Sequence, residues 1–542
     1  MAIQKIIDVI NIRDYFLFLA LIFTTYVFNF YYKYFTRPNP LPGPLPLPFI
    51  GNFHNLAFCD LKLFFDKCRL EYGDICEIML HGRRNIILSR PEYIEEIMYS
   101  KNFVRFPYSQ GLNELGVYGR GLGANHVYKN WRYKRHFFTQ ALMAPGFMDT
   151  AVKSTNNLFE EMSGYWQSLG KQNTSNNNNW TLETDFSEWF HAFANDMISL
   201  IVTGERTYSI ASYYNMQSNV KSEYPDALVE DGNKFVKSLI KHIESLILFT
   251  LIGPVRYYIP IIRNKANSYL KNRDYLYEKL DLMIKKRRKE IEEMPMGSEM
   301  RTDMLTSLII ANTEKDNFNV KTLDDETFEP MTDEDIRSNL VEAFGGGTNT
   351  TANTFCFITY YLCKYPSVKQ KMISEIDTVF NSLNKSYLSS DDLLKLKYCE
   401  AIIKETTHMM PAFNFTPRYI TEEYKVAGYK WASNTSFYLS FVGVHGNPDV
   451  WPNPEIFDPN RFYDVDQDNK RLENKCSWIP FGGGPRICPG KKLAMCELLL
   501  LMASIYRYYD VELVNIHESL KYVTITVNSV KKLNVKVKPR IN

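Results

Sequence analysis

The chain has 542 residues, 45% hydrophobic and 23% charged, with 63 lysines and arginines against 61 aspartates and glutamates. The formal charge of +2 lacks the basic excess that polynucleotide binding leaves in a composition, so no nucleic-acid partner is expected. Nine cysteines at positions 59, 68, 76, 356, 363, 399, 476, 488 and 496 form no Cys-x2-Cys pair, which excludes a zinc ribbon or a c-type haem attachment and suits a reducing compartment.

Tyr15 to Tyr32 is an uncharged run of apolar and aromatic residues. As a helix it reaches roughly 27 Å, near the hydrocarbon thickness of an endoplasmic reticulum bilayer. Tyr26, Tyr31 and Tyr32 lean toward one end, with Lys33 and Arg37 beyond, as an interfacial belt does. A cleaved signal peptide has a shorter apolar core and a small-x-small site, which this stretch lacks, so a retained single-pass anchor over residues 1–35 is expected. Residues 38–48 alternate prolines with leucine, asparagine and glycine. Such a run cannot continue a helix and predicts a stiff, extended hinge over 36–50. No repeat or compositional break follows, so residues 51–542 read as one catalytic domain.

Within it, residues 74–90 alternate apolar and polar residues about His81-Gly82 and predict a β-hairpin. A second strand-like zone covers 522–538, and the rest is mainly helical in pattern. The fold class is therefore mainly α with small β-sheets (α+β). The run Asn-Thr-Ser-Asn-Asn-Asn-Asn at 173–179 is low in complexity and predicts a solvated loop. Asn173-Thr-Ser also matches a glycosylation acceptor, which cytosolic placement leaves unused.

The longest predicted helix spans 332–365, with Thr332 and Asp335 as a capping-box-like start and Pro366 as its stop. It contains Gly345-Gly-Gly347-Thr-Asn349-Thr350-Thr351. A mid-helix glycine costs about 1 kcal/mol relative to alanine, so three together need a reason. One is close packing against another helix; the other is room for a flat cofactor beside a local widening of the helix.

Residues 481–490 read Phe481-Gly-Gly-Gly484-Pro-Arg486-Ile-Cys488-Pro-Gly490. Glycines around a cysteine give the turn that lets a sulfur lie against a flat macrocycle. Freed backbone N–H groups tune the bound metal. Arg486 offers a planar charged fork for a propionate. Pro489 suits the first position of a helix through Leu500, whose positive end favours the thiolate of Cys488. A glycine-rich loop with an incidental buried cysteine is the plainer alternative.

The pattern Phe-x-x-Gly-x-Arg-x-Cys-x-Gly resembles the haem-ligating signature of the cytochrome P450 family, and the resemblance covers roughly residues 38–542. It implies haem b with Cys488 as axial ligand, flanked by Phe481, Gly484 and Gly490 of the signature. Trp131-x-x-x-Arg135 is similar to the family's pair that holds a propionate, and Arg418 matches a third propionate-facing position. Phe457-Asp-Pro-Asn-Arg461-Phe resembles the segment supplying an arginine to a buried polar network. The sequence departs twice. Where the family has Glu-x-x-Arg this chain has Glu405-Thr-Thr-His408, from which Arg461 is expected to bear more of the role and His408 to be protonated when paired with Glu405. Where the family commonly has a carboxylate before the threonine, this chain has Asn349, with Gly347 and Thr350 kept; slower or leakier oxygen activation is expected.

The resemblance implies a monooxygenase placing one oxygen atom of O2 into an apolar small molecule. No flavin or nicotinamide fingerprint is present. Electrons are therefore expected from NADPH-cytochrome P450 reductase on the same membrane, with cytochrome b5 as a further donor. Lys134, Arg135, Lys491 and Lys492 are candidates for a basic docking face. Pocket segments are expected around 105–125, 205–260 and 411–416. A monomer at the endoplasmic reticulum membrane, facing the cytosol, follows from the resemblance and the reduced cysteines rather than from flanking charge. Two other readings remain open: a haem-thiolate isomerase or dehydratase acting on a peroxide, and a non-catalytic haem-dependent sensor or carrier.

Overall fold

The computed structural model describes residues 12–540, apart from 58–59, 81, 107–108, 144–145, 173–179, 296–297, 299, 312, 314–321, 324–325, 328, 384, 464–474 and 525–526. The asparagine-rich run and the Asn173 acceptor lie outside the described residues. Helix α1 (Ile12–Phe35) takes up the uncharged run and is exposed along its length, and it is apolar and long enough to cross a membrane. The prolines that follow form no helix, and they lie against the domain. The carbonyl of Pro42 accepts the Glu77 N–H at 2.9 Å, Leu41 is buried, and Arg37 pairs with Glu77.

The hairpin forms from β1 (Ile75–Leu80) and β2 (Arg83–Leu88), antiparallel with Leu80 opposite Arg83, and Gly82 takes a φ of 68° that favours glycine. Helix α2 (Pro91–Met98) starts on a proline, whose fixed φ suits a first turn. Strand β3 (Phe103–Val104) leads to α3 (Tyr128–Met143). Strand β4 (Leu182–Asp185) ends on Asp185, whose carboxylate caps α4 (Phe186–Thr203) by accepting the Ser187 N–H. Helices α5 (Gly232–Leu251) and α6 (Pro260–Glu293) follow.

Helix α7 (Asp333–Lys364) has Thr332 as its cap, accepting the Asp335 N–H, and acidic residues in its first turn favour its positive end. It stays α-helical through all three glycines, so the expected local widening does not occur. Pro366 opens the next helix rather than only ending this one. Helix α8 (Lys397–Met409) precedes β5 (Phe415–Ile420) and β6 (Ser436–Ser440). Helix α9 (Lys491–Tyr508) starts two residues after Pro489 and is followed by β7 (Tyr509–Leu513). The 522–538 zone forms β8 (Tyr522–Thr524), β9 (Asn528–Val530) and β10 (Asn534–Pro539).

One sheet has the order β1-β2-β6-β5-β3, and a second has β7-β10-β4. The helices make the main core, with α4 packed along α7; Phe190 meets Phe355 edge-to-face at 4.5 Å. Each large side chain so buried contributes roughly 1.5–3 kcal/mol of transfer free energy. This core fixes α7 on one side of the site, while the hairpin sheet and the 481–490 loop bound the other.

Candidate active site

The loop before α9 closes on itself through Cys488 N–H donating to the Phe481 carbonyl at 2.9 Å. Gly484 has a φ of 61°, and a Cβ there would overlap the Met98 carbonyl of α2. A side chain is excluded twice over. At Gly490 a Cβ would stand 4.0 Å from the Cys488 sulfur, an ordinary contact, so this glycine leaves the sulfur's flank uncrowded. Phe481 packs edge-on to Trp478 at 6.1 Å.

Cys488 is exposed, yet burial among protein atoms is the largest influence on its thiol and raises its pKa. The sulfur is thus open on one side and enclosed by protein on the others, as a ligand facing an interior chamber has to be. The Gly490 N–H and the charges of Arg135, Arg105 and Lys491 lower the pKa but offset burial only in part. The helix end thus acts toward the thiolate, but without offsetting burial.

On α7 the three glycines divide. A Cβ at Gly345 would lie 3.0 Å from Ile243 Cδ1, and one at Gly347 would lie 2.6 Å from Ile198 Cγ1. Both keep neighbouring helices close. Gly346 alone faces open space. Gly347, expected on the reacting side, thus serves packing, and the open position is Gly346. Thr350 lies one turn on from Gly346 and donates its hydroxyl to that carbonyl at 2.6 Å. Asn349 points elsewhere. It is buried between α7 and α4, its side-chain oxygen accepting from Asn353 at 2.7 Å and lying 3.1 Å from His191 Nε2.

Arginines gather near the sulfur. Arg486 stacks on Trp131 with its guanidinium carbon 4.3 Å from the ring centre, and it donates to the Asn125 carbonyl at 3.1 Å. Burial, followed by the charges of Arg105 and Arg135, pushes the Arg486 pKa down to about 9. Arg418, buried on β5, is driven well below its usual range by burial and then by Arg105 and Arg486. Arg135 is lowered by burial and Arg105. Arg105 itself, half-buried and carried by no motif, is lowered by burial, with Glu342 and Cys488 opposing. Glu342 is committed to the Leu122 and Gly123 N–H groups at 2.5 and 2.9 Å. Four guanidiniums that repel one another are a donor set suited to an anion with several oxygens. Haem propionates fit that need, and an accessible Cys488 sulfur fits a ligand to the metal of such a group.

The Glu405 network takes a different form from the expected one. Arg461 Nε lies 3.3 Å from Glu405 Oε1, its other nitrogens bond the carbonyls of Pro452, Asn453 and Ile456, and Asp458 N–H donates to Glu405 at 2.8 Å. His408 Nδ1 is 3.7 Å from Glu405, beyond hydrogen bonding. Burial, then His445 and Arg461, holds the His408 pKa well below its ordinary value, so the ring is neutral and the expected protonated partner is not formed. The ring packs at a tilt against Trp451, 4.6 Å between centres, instead. Glu405 is pushed up to about 7 by burial, opposed by Asp458 N–H and Arg461.

The expected basic face is also altered. Lys134 is buried, bonded to Asp335 at 2.6 Å and to the Arg120 carbonyl, and Arg135 belongs to the arginine cluster. Of the four, Lys491 and Lys492 remain on the surface side.

The family model for cytochrome P450 matches residues 41–536. The chain is 24% identical to cytochrome P450 82A1 of Pisum sativum, over 86% of each chain. It is 33% identical to cytochrome P450 4V2 of Rattus norvegicus, over 35% of each. Among solved structures, the cytochrome P450DA heme domain superposes with a TM-score of 0.72 at 19% identity, covering 92% of this chain and 98% of that one. The retinoic acid-bound cyanobacterial CYP120A1 does so at 0.71, covering 92% and 99%. With the signature loop, the arginine cluster and the fold in agreement, the chain belongs to the cytochrome P450 family of monooxygenase oxidoreductases.

Proposed function

We propose that this chain is a membrane-anchored haem-thiolate monooxygenase that places one oxygen atom of O2 into an apolar organic substrate. The observation that carries this reading is the pairing of an exposed Cys488 sulfur with a cluster of guanidiniums that repel one another. Cys488 would ligate the iron of haem b, and Arg105, Arg135, Arg418 and Arg486, with Trp131 stacked on the last, would hold its propionates. Bound haem with a thiolate ligand supplies oxygen activation and insertion. Gly346 would leave room for that group, and Thr350 holds a hydroxyl proton one turn away, now donated to the Gly346 carbonyl. Electrons would come from NADPH-cytochrome P450 reductase, with cytochrome b5 as an auxiliary donor, and Lys491 and Lys492 would contribute to docking. Helix α1 would hold a monomer at the endoplasmic reticulum with the catalytic domain in the cytosol. The hydrophobic exposed length of α1 supports that placement.

The test is the reduced carbon-monoxide difference spectrum of the purified protein and of Cys488→Ala. The thiolate band should be present in the first and absent in the second. NADPH-driven oxidation with a reductase, and none with peroxide alone, separates the monooxygenase from a peroxide isomerase. An unchanged band in Cys488→Ala would overturn the assignment.

A further inference from the structure

From Pro38 to Phe53 no residue is charged, and the tip of this segment carries Leu45, Leu47, Phe49 and Ile50, exposed by 53, 40, 68 and 48%. Single exposed apolar side chains are ordinary, but four within six residues form a patch that calls for a covering partner. The backbone beneath them is already closed to water. Pro46 and Pro48 carry no N–H, and every other N–H from Leu47 to Asn52 has an acceptor. Leu47 donates to the Gly51 carbonyl at 3.0 Å and Gly51 returns the bond at 2.8 Å. Ile50 donates to Pro48 and Asn52 to Met79, each at 2.8 Å. The remaining donor, Phe49 N–H, bonds Tyr26 Oη of α1 at 3.3 Å, and Tyr31 Oη donates to the Pro46 carbonyl at 3.3 Å. Phe49 takes a φ of 67°, which a bulky side chain avoids, and this strained turn sets its ring 4.2 Å from that of Tyr26 and 6.2 Å from that of Phe23. The interfacial belt expected of Tyr26 and Tyr31 is thus altered, since both hydroxyls bond the loop.

We propose that residues 45–50 form an apolar wedge immersed in the acyl chains of the leaflet next to the catalytic domain, held against α1 by the hydroxyls of Tyr26 and Tyr31. This rests on the reading of α1 as a bilayer span. Position along that helix supplies the depth. Tyr31, Tyr26 and Phe23 stand roughly 3, 10 and 15 Å along the axis from Lys33, whose charge belongs at the headgroups. One leaflet of a hydrocarbon core about 30 Å thick covers that range, so a loop fixed to these three residues lies within it. Lipid excludes irregular backbone whose polar groups are unsatisfied. The two prolines and the closed bridge between Leu47 and Gly51 remove that objection at the donors of the tip. The cations that touch the segment, Arg37 and Arg84, both pair with Glu77, so their charge is balanced. The partner is acyl chain and not headgroup, because the wedge offers four hydrocarbon side chains and no cation. The proline segment is then a second point of attachment to the membrane, not a spacer that holds the domain away from it.

The test uses the full-length, haem-loaded protein in phosphatidylcholine nanodiscs whose acyl chains are brominated near mid-length. A fluorescent amino acid replaces Ile50, Ile22 on α1 or the exposed Lys289 on α6, one per sample. Bromine quenches only what it touches, so the reporter at position 50 should lose as much emission as the one at position 22, while the one at position 289 loses none. Quenching at 22 without quenching at 50 overturns the proposal and leaves the anchor standing. Absence of quenching at 22 defeats the anchor, and the wedge with it. Equal quenching at 50 and 289 reports indiscriminate contact and also overturns the proposal. Tyr26→Phe, which keeps the stacked ring and strands the Phe49 N–H, should lower the ratio of quenched to unquenched reporter at 50 by about fivefold, the loss of one hydrogen bond of ordinary net strength. An unchanged ratio in both Tyr26→Phe and Tyr31→Phe overturns the proposal. The carbon-monoxide band of each sample, kept throughout, shows that lost quenching is not lost folding.

Discussion

Glu497 sits on α9, nine residues after the thiolate cysteine, buried and without a hydrogen bond or ion pair among the described residues. Burial alone pushes its pKa from 4.5 up to about 8. A carboxyl whose folded pKa is raised stabilises the fold fully below the unfolded value and loses that contribution as pH climbs through the folded one. Between pH 5 and pH 8 the folded chain therefore loses about 3 kcal/mol through this group. For a chain of this size that corresponds to roughly 3 °C in Tm. Glu497→Gln keeps the shape and cannot ionise. Thermal scans of both proteins at matched rate and fixed haem loading should show the wild type falling further between pH 5 and pH 8, and the two curves converging at low pH. Parallel curves would show that Glu497 is solvated or paired in solution, and the reasoning from its isolation would fail.

Arg461→Ala should destabilise by about 3–5 kcal/mol, because it strands the buried Glu405 and three carbonyls. His408→Phe should cost under about 1.5 kcal/mol, since a neutral ring tilted against Trp451 is replaced by one of similar size. Denaturant titration of both at pH 7.5 decides which residue is the counter-charge, and equal losses would refute the assignment. Gly347→Ala, driven toward Ile198, should cost about 1–3 kcal/mol. Gly346→Ala, which meets open space, should gain up to about 1 kcal/mol of helix stability while lowering haem uptake measured by the Soret band. Arg418→Leu should speed haem transfer to apomyoglobin about tenfold or more, the loss of one charge-assisted hydrogen bond.

Legibility in the sequence followed the range of the interaction. The 74–90 hairpin and the Thr332 start of the long helix depend on neighbours within a few residues, and alternation and capping chemistry place both. The signature loop is equally local, since its glycines answer to a turn and to α2 just beneath it. What escaped was decided across the fold. Gly346 and Gly347 are identical in sequence, and only the position of Ile198 assigns one to packing and the other to open space. Lys134 carries the same charge as its exposed neighbours until Asp335, 201 positions away, takes it inside. Arg105 belongs to no motif, and only its nearness to three other guanidiniums gives it a role. His191 sits in an ordinary buried helix face, and its partners lie 158 and 162 residues on.

The proline segment is fastened at both ends: Arg37 at the foot of α1 pairs with Glu77, and the ring of Tyr26 stacks on Phe49 at 4.2 Å. Glu77 lies on β1, so the foot of α1 is joined directly to the hairpin sheet. For an α1 that spans a bilayer, as proposed, lipid thickness would set its tilt and load that sheet, and grafting a foreign leader would sever the linkage.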